Sequence, residues 1–416
     1  MEAAPLISND GVIFGLLAVI LGGIFYTQQS KHPFWQGVYK WVPALLLCYF
    51  VPSLLNTFNV VDGGNTALYP LVMDYLLPTC LVLLTLSLDL KAIMRLGPKI
   101  LIMFLTGTLG IVIGGPIALL LISIIFPEML NGAGPDAVWR GMTTIAGSWI
   151  GGGANQAAMK EVYEVGGEIF SAMVTVDIIV ANLWMAVLLY MAANAKKIDA
   201  RIGADTSAIE GIRERIEKYE SEHRREAKLP DLIFILAVGF GVAGLAHFGA
   251  DIIAPYINDN MPVLKEFSLN KKFFWLIVIA TTVGVALSFT RVRTLEGVGA
   301  SKIGSLFVYI LVATIGLHMD VSAIIDAPKY FLIGAVWMTI HAGLMLLVAR
   351  LIKAPVFYMA VGSQANVGGA ASAPVVASAF HPSLAPVGVL LAVFGYALGT
   401  YAAYLCGQVL RVIAAG

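Results

Sequence analysis

Charge is scarce in this chain. Only 12% of its 416 residues are Asp, Glu, Lys or Arg, about half of what a soluble domain carries on its surface, which excludes an ordinary water-soluble fold. The formal net charge of zero excludes a broad basic surface, so no nucleic-acid partner is expected. Three cysteines, Cys48, Cys80 and Cys406, sit singly in apolar runs. They form neither a disulfide framework nor a metal-ligand spacing. The stretch Met1 to Asp10 lacks the positive n-region of a cleaved signal, so the first apolar run is expected to stay. The sequence pattern supplies neither paired intramembrane aspartates nor a convincing Ser/His couple for an intramembrane protease, and an enzyme is not expected.

What is present is hydrophobic length. The chain is 59% hydrophobic with a mean hydropathy of +0.84. Apolar segments fall near 11–27, 41–58, 70–90, 100–126, 141–162 and 168–191, then near 231–249, 273–290, 302–319, 329–352, 355–379 and 384–412. Many approach the roughly 20 residues that span a bilayer. The expected fold is an all-α polytopic membrane protein. Between the two sets, Ala195 to Pro230 holds 9 Lys/Arg and 8 Asp/Glu, the composition of a solvated helix with i,i+4 ion pairs. It reads as a cytoplasmic linker (195–230).

The two sets resemble each other. LLTLSLDLKAIMRLGPK (83–99) pairs with LVATIGLHMDVSAIIDAPK (311–329), placing Asp89 against Asp320 and Pro98 against Pro328 after one shift. GSWIGGGANQAA (147–158) pairs with GSQANVGGAASAP (362–374) across a small gap. A duplication of this kind is the construction rule of many secondary transporters. If all twelve segments crossed the membrane, the halves would point the same way and the basic runs would fall on opposite sides. If 141–162 and 355–379 instead enter and return on one side, each half has five crossings and the repeats are inverted. Of the 26 Lys/Arg, 19 then lie inside and 7 outside, as the positive-inside rule expects. The expected organisation is therefore a first inverted repeat over 1–194 with hairpin 141–162, and a second over 231–416 with hairpin 355–379. Both termini face outside.

Glycine-rich backbone at membrane depth is tolerated where protein or a watery cavity satisfies its polar groups. The two hairpin tips should meet near the midplane, where carbonyls can ligate a desolvated cation and helix N-termini can hold a carboxylate. The expected solute-binding residues are Ser148, Gly152, Gly153, Asn155 and Gln156 from the first tip, and Gln364, Gly368, Gly369 and Ser372 from the second. Asp177 lies inside an apolar helix, where a carboxylate usually marks an ion or proton site. With Asn155, Asn182, Ser363 and Asn366 it is the expected sodium-ligand set. The duller alternative for Asp177 is a structural hydrogen bond, or a protonated group. Asp89 and Asp320 sit at helix ends and suit capping, His318 and His341 suit satisfied core positions, and Trp184 and Tyr190 need only interfacial or packing roles. Arg140 and Lys160 read as snorkelling flanks of the first hairpin.

At Gly152-Gly153-Ala154-Asn155 and Gly368-Gly369-Ala370-Ala371 the chain resembles the YjcL-like uncharacterised integral membrane proteins. More distantly it is similar to the bacterial glutamate:sodium symporters and the 2-hydroxycarboxylate transporters. That resemblance implies inverted five-helix repeats with re-entrant hairpins, a homodimer, sodium coupling and elevator-like motion of a core against a scaffold. The positions after the double glycine depart from the glutamate symporters' pattern, so glutamate or citrate specificity is not carried over. The expected function is sodium-coupled symport of a small organic solute (an amino acid, short peptide or carboxylate) across a bacterial inner membrane. No cofactor beyond the coupling sodium is expected, and the partners are the solute, lipid and a second copy. The alternative is a cation/proton antiporter using Asp177.

Overall fold

The computed structural model describes residues 5–42, 44–61, 63, 66–130, 132–207, 209, 226–267, 269–317, 328–381 and 384–415. His318, Asp320 and most of the charged stretch after 207 lie outside the described residues. Helices dominate, as the long apolar runs require. The first half comprises α1 (Asp10–Gln28), α2 (Pro33–Trp41), α3 (Ala44–Thr57), α4 (Leu68–Leu86), α5 (Leu90–Arg95), α6 (Pro98–Ser123), α7 (Val138–Val162) and α8 (Gly167–Ala193). After α9 (Ala195–Ile202), the second comprises α10 (Leu229–Asn260), α11 (Lys272–Ser288), α12 (Ala300–Gly316), α13 (Pro328–Leu351), α14 (Val356–Val367), α15 (Gly369–Ser378) and α16 (Ala385–Ala415).

Among the described residues seven helices are long and apolar enough to cross a membrane: α1, α4, α6, α8, α10, α13 and α16. The chain is a polytopic membrane protein. Three of the ten expected crossings are shorter pieces. Helix α3 has 14 residues and an internal Pro52; α11 and α12 have 17 each. At 1.5 Å per residue they reach only about 21–26 Å, less than the apolar slab. A short 3-10 segment after α11 bends away from it by 94°.

The segment 138–162 folds back on itself. Gly152 adopts φ 70°, ψ −170°, a region that is essentially glycine's alone. Its arms, 138–151 and 153–162, then run against each other, bringing the rings of Trp139 and Tyr163 to 5.9 Å. In one straight helix they would stand roughly 36 Å apart. The arms touch backbone to backbone: a Cβ on Gly147 would lie 2.5 Å from the Asn155 carbonyl oxygen. Helices α14 and α15 form the second such pair, turning at Gly369 (φ 56°), with Phe357 and Phe380 in ring contact at 5.2 Å.

Packing sorts the helices into two groups. Helices α6, α7, α8, α13, α14, α15 and α16 pack mainly on one another, and so do α1, α3, α4, α10, α11 and α12. The seam between them is sparsely bonded. It is crossed by Tyr49 to Gln156 at 3.0 Å, Thr281 to Thr400 at 3.2 Å and Thr282 to Tyr401 at 2.7 Å. At the foot of the folded-back α7, Tyr69 bonds Glu161 and Lys160, and Lys271 pairs with Glu164 at 2.5 Å.

Candidate functional site at the two glycine turns

The two turns meet on one tyrosine. A Cβ on Gly152 would lie 3.2 Å from Tyr396 Cε1; one on Gly369 would lie 3.5 Å from the same atom and 3.9 Å from Gly152 Cα. Tyr396 stands on α16, is buried, and accepts the Ala370 N–H on its hydroxyl at 3.1 Å. Its neighbour Gly395 faces two carbonyls: a Cβ there would lie 2.8 Å from Ile150 O and 3.3 Å from Ala365 O. Helix breaks leave terminal carbonyls and amides without intrahelical partners. The tips therefore gather both polarities of backbone group deep in the fold. Gln364 adds a side chain, with Nε2 donating to Ser372 Oγ at 2.6 Å and a buried Oε1 that has no partner.

Asp177 lies near this crossing, almost wholly buried on α8. Its Oδ1 accepts the Trp149 indole N–H at 2.6 Å and its Oδ2 accepts Gln156 Nε2–H at 2.9 Å; Ser148 bonds to it as well. All three donors come from the folded-back α7, and none carries charge. Gln156 Oε1 in turn accepts the Tyr49 hydroxyl proton. Three neutral hydrogen bonds orient the carboxylate without neutralising it.

A second polar cluster surrounds Ser363. His341 Nδ1 lies 3.1 Å from Gly107 O, which can only accept, so Nδ1 carries the proton. Nε2 then accepts from Ser363 Oγ at 2.7 Å, and that oxygen accepts the Trp184 indole N–H at 2.8 Å. His341 is the satisfied core histidine the apolar context predicts. The sequence pattern shows no such Ser/His couple, yet the fold makes one; its Ser363 is wholly buried, and its oxygen is already occupied by the hydrogen bond from the Trp184 indole N–H. Trp184 takes the packing role of the two expected, buried on α8, and adds to it the hydrogen bond to Ser363. Tyr190 is largely exposed.

The expected site residues are therefore brought together in part. Ser148, Gln156 and Asp177 form one cluster; Gly152, Gly369 and Asn155 gather at Tyr396; Gln364, Gly368 and Ser372 line the second turn. Gly153 faces Val308 and Val312 of α12 across the seam. Asn155 and Asn366 are wholly buried, with their amide groups bonded to neighbouring helices. Asn182 stays apart, donating to the Ile178 carbonyl of its own helix at 2.7 Å. Lys160 does not snorkel. Its side chain lies over the rings of Tyr69 and Phe170 and beside Glu161 at 3.5 Å. Arg140 bonds back to the Tyr163 carbonyl. Asp89 caps α5 through the Ala92 N–H and pairs with Arg293 at 2.8 Å. Tyr396, Trp149 and Tyr49 escaped the sequence reading, because aromatics in apolar runs look like packing until a fold shows what their polar atoms reach.

Among the described residues no three His, Cys, Asp or Glu side chains group as metal ligands. Any cation here would be held by amide, hydroxyl and backbone oxygens with at most one carboxylate, a donor set for a hard, oxygen-preferring ion. Residues 11–413 match the family model described as a protein of unknown function, DUF819. The chain is also similar to the uncharacterized membrane protein YjcL of Bacillus subtilis (strain 168), at 24% identity over 97% of this chain and 98% of that one. A match that runs through both glycine turns and every long apolar helix places this chain in the DUF819 family of membrane proteins.

Proposed function

We propose that this chain is a secondary transporter that couples sodium to the symport of a small organic solute. The observation that carries the reading is the meeting of two glycine turns at Tyr396, inside a protein made of apolar helices. Irregular backbone at such depth is costly unless it serves a cavity or a ligand. In this reading the folded-back α7 and the α14–α15 pair are re-entrant hairpins, entering from outside and inside, and the halves are inverted repeats of five helices. The orphaned Gln364 Oε1 and the carbonyls of Ile150 and Ala365 suit a sodium ion, and Asp177 supplies charge. The returning arms present helix N-termini to an anionic group of the solute. The group containing both turns moves against the other along the sparsely bonded seam, in an elevator-type step. The working unit is a homodimer in the plasma membrane.

The test is thermal stabilisation of the purified protein across amino acids, short peptides and carboxylates, with and without sodium. A solute that stabilises only in the presence of sodium is the expected result. Stabilisation by no member of the set, together with indifference to sodium, overturns the reading. A second reading rests on Asp177 having only neutral partners: cation/proton antiport, in which the carboxylate exchanges a proton for the ion. A sodium gradient that drives proton flux in proteoliposomes without added solute would favour it.

A further inference from the structure

Asn155 and Asn366 occupy the same contact, built twice. Asn366 Nδ2 donates to Gly362 O, four residues back, and to Phe104 O of α6, each at 2.9 Å; its Oδ1 accepts from Thr108 Oγ1 at 2.7 Å. Asn155 Nδ2 donates to Gly151 O, again four residues back, at 3.2 Å, and to Tyr396 O of α16 at 3.1 Å; its Oδ1 accepts from Thr400 Oγ1 at 2.7 Å. In both, the partner helix offers a carbonyl at one residue and a threonine four residues later. In both, the residue before the threonine is glycine. A Cβ on Gly107 would lie 2.8 Å from Asn366 Nδ2, and one on Gly399 would lie 2.8 Å from Asn155 Nδ2. The sequences agree on both sides. Phe104-Leu-Thr-Gly-Thr108 matches Tyr396-Ala-Leu-Gly-Thr400, and Gly151-Gly-Gly-Ala-Asn155 matches Gly362-Ser-Gln-Ala-Asn366.

We infer that these are two copies of one clasp: a Gly-x-x-Ala-Asn segment on a folded-back pair seated on an aromatic-x-x-Gly-Thr segment of a helix. Asn155 and Asn366 are positioning residues, each amide spent on holding its pair in place. The clasps are crossed. Helix α6 of the first half holds the α14–α15 pair of the second, and α16 of the second half holds the folded-back α7 of the first. Each half thus completes its turn only on the other. One wall of each clasp must be glycine because the asparagine amide fills the volume a Cβ would take. Threonine is required for its hydroxyl, since a wholly buried amide oxygen without a donor is costly. The consequence is that both turns ride with α6 and α16 as one body, leaving the seam as the place where motion can occur. The inference concerns what holds the turns and stands whatever the protein carries.

Hydrogen exchange read by mass spectrometry on the full chain tests it, using Thr108→Val and Thr400→Val with Thr108→Ser and Thr400→Ser as conservative partners. Valine keeps the volume and deletes the hydroxyl, which at Thr400 also bonds Thr281 at 3.2 Å across the seam. Thr400→Val should raise exchange about tenfold in 152–162 and leave 356–378 near the parent; Thr108→Val should do the reverse. The serine variants should restore parent-like protection, a recovery that loss of threonine packing alone would not show. If each valine variant loosens both pairs equally, or loosens only the pair in its own half, the crossed clasp is wrong. Parent-like exchange in both valine variants also overturns it. Should either valine variant fail to fold, the Gly107→Ala and Gly399→Ala variants give the same crossed readout: the first Cβ would meet Asn366 Nδ2 at 2.8 Å, and the second would meet Asn155 Nδ2 at 2.8 Å and the Gly151 backbone at 2.7 Å, each on the pair its helix holds.

Discussion

At the scale of single residues, Asp177 concentrates the cost of the site. A carboxylate sealed in the fold with three neutral donors is oriented yet uncompensated, and a bound cation would relieve it. Asp177→Asn keeps the shape, but its amide can no longer present four acceptor sites to Trp149, Gln156 and Ser148. If the proposed sodium site uses this carboxylate, the variant should need at least about tenfold more sodium for the same thermal stabilisation, following the logarithmic dependence on ligand over Kd. A sodium titration of parent and variant by differential scanning fluorimetry measures it. An unchanged titration makes the carboxylate structural. Asp177 was legible in the sequence as a charge within an apolar helix. Its donors were not, because Trp149 and Ser148 come from a segment that reaches Asp177 only by folding back.

At the scale of elements, the turn at Gly152 and the start of α14 each rest on one atom's worth of geometry. Gly152→Ala places a Cβ at φ 70°, ψ −170° and 3.2 Å from Tyr396 Cε1. Strain in that region costs about 1–3 kcal/mol, so thermal unfolding should fall by several degrees, and any solute-dependent stabilisation should be lost with it. The glycines of this turn stood out in the sequence, but which of the three would take the positive φ did not, since each is equally permissive. Helix α14 begins at Pro355 with no cap of its own. Asp199, on the short helix α9, supplies one by accepting the Val356 N–H at 2.8 Å. Burial pushes this carboxyl above its ordinary range, and the Val356 bond pulls it part of the way back. A raised folded-state value means the folded protein holds the proton more tightly than the unfolded chain. The contribution is therefore fullest below the ordinary carboxylate range of about pH 4 and declines as pH rises through the raised value. Asp199→Asn keeps an acceptor and removes the charge, so its thermal midpoint at pH 7.5 should equal or exceed the parent's, with a flatter profile above about pH 4. Asp199→Ala should lose about 0.5–2 kcal/mol, the usual worth of a cap. Melting curves from pH 4 to 8 separate the two.

At the scale of the whole molecule, the proposed inverted arrangement makes a directional statement. Single cysteines at positions 5 and 215, placed in a Cys48→Ala, Cys80→Ala, Cys406→Ala background, should react oppositely with an impermeant thiol reagent in intact cells. Position 5 should label from outside and position 215 only after permeabilisation. Labelling of both positions from the same side would remove the inverted repeat. The sparse seam carries a parallel expectation: because Tyr69 and Glu161 meet only through the ends of long side chains, Tyr69→Cys and Glu161→Cys joined by a short bifunctional methanethiosulfonate reagent should tie the two helix groups and stop any solute uptake, reversibly under reductant. Uptake unaffected by a fully formed bridge would mean that the groups do not move against each other there.

Composition alone determined that this chain lives in a bilayer, because 12% charge and runs near 20 apolar residues leave no water-soluble solution. Local pattern determined most helices and the two glycine-rich interruptions between them, since propensity and hydrophobic length act over neighbours in the chain. Partnership was decided only in three dimensions. Tyr396 between the turns, the crossed asparagine contacts, and the Trp184–Ser363–His341 chain join residues far apart in sequence. In a uniformly apolar sequence there is no amphipathic face to say which side of a helix looks inward, so the polar atoms that must be satisfied find their partners by packing, and the tertiary structure alone records which ones they found.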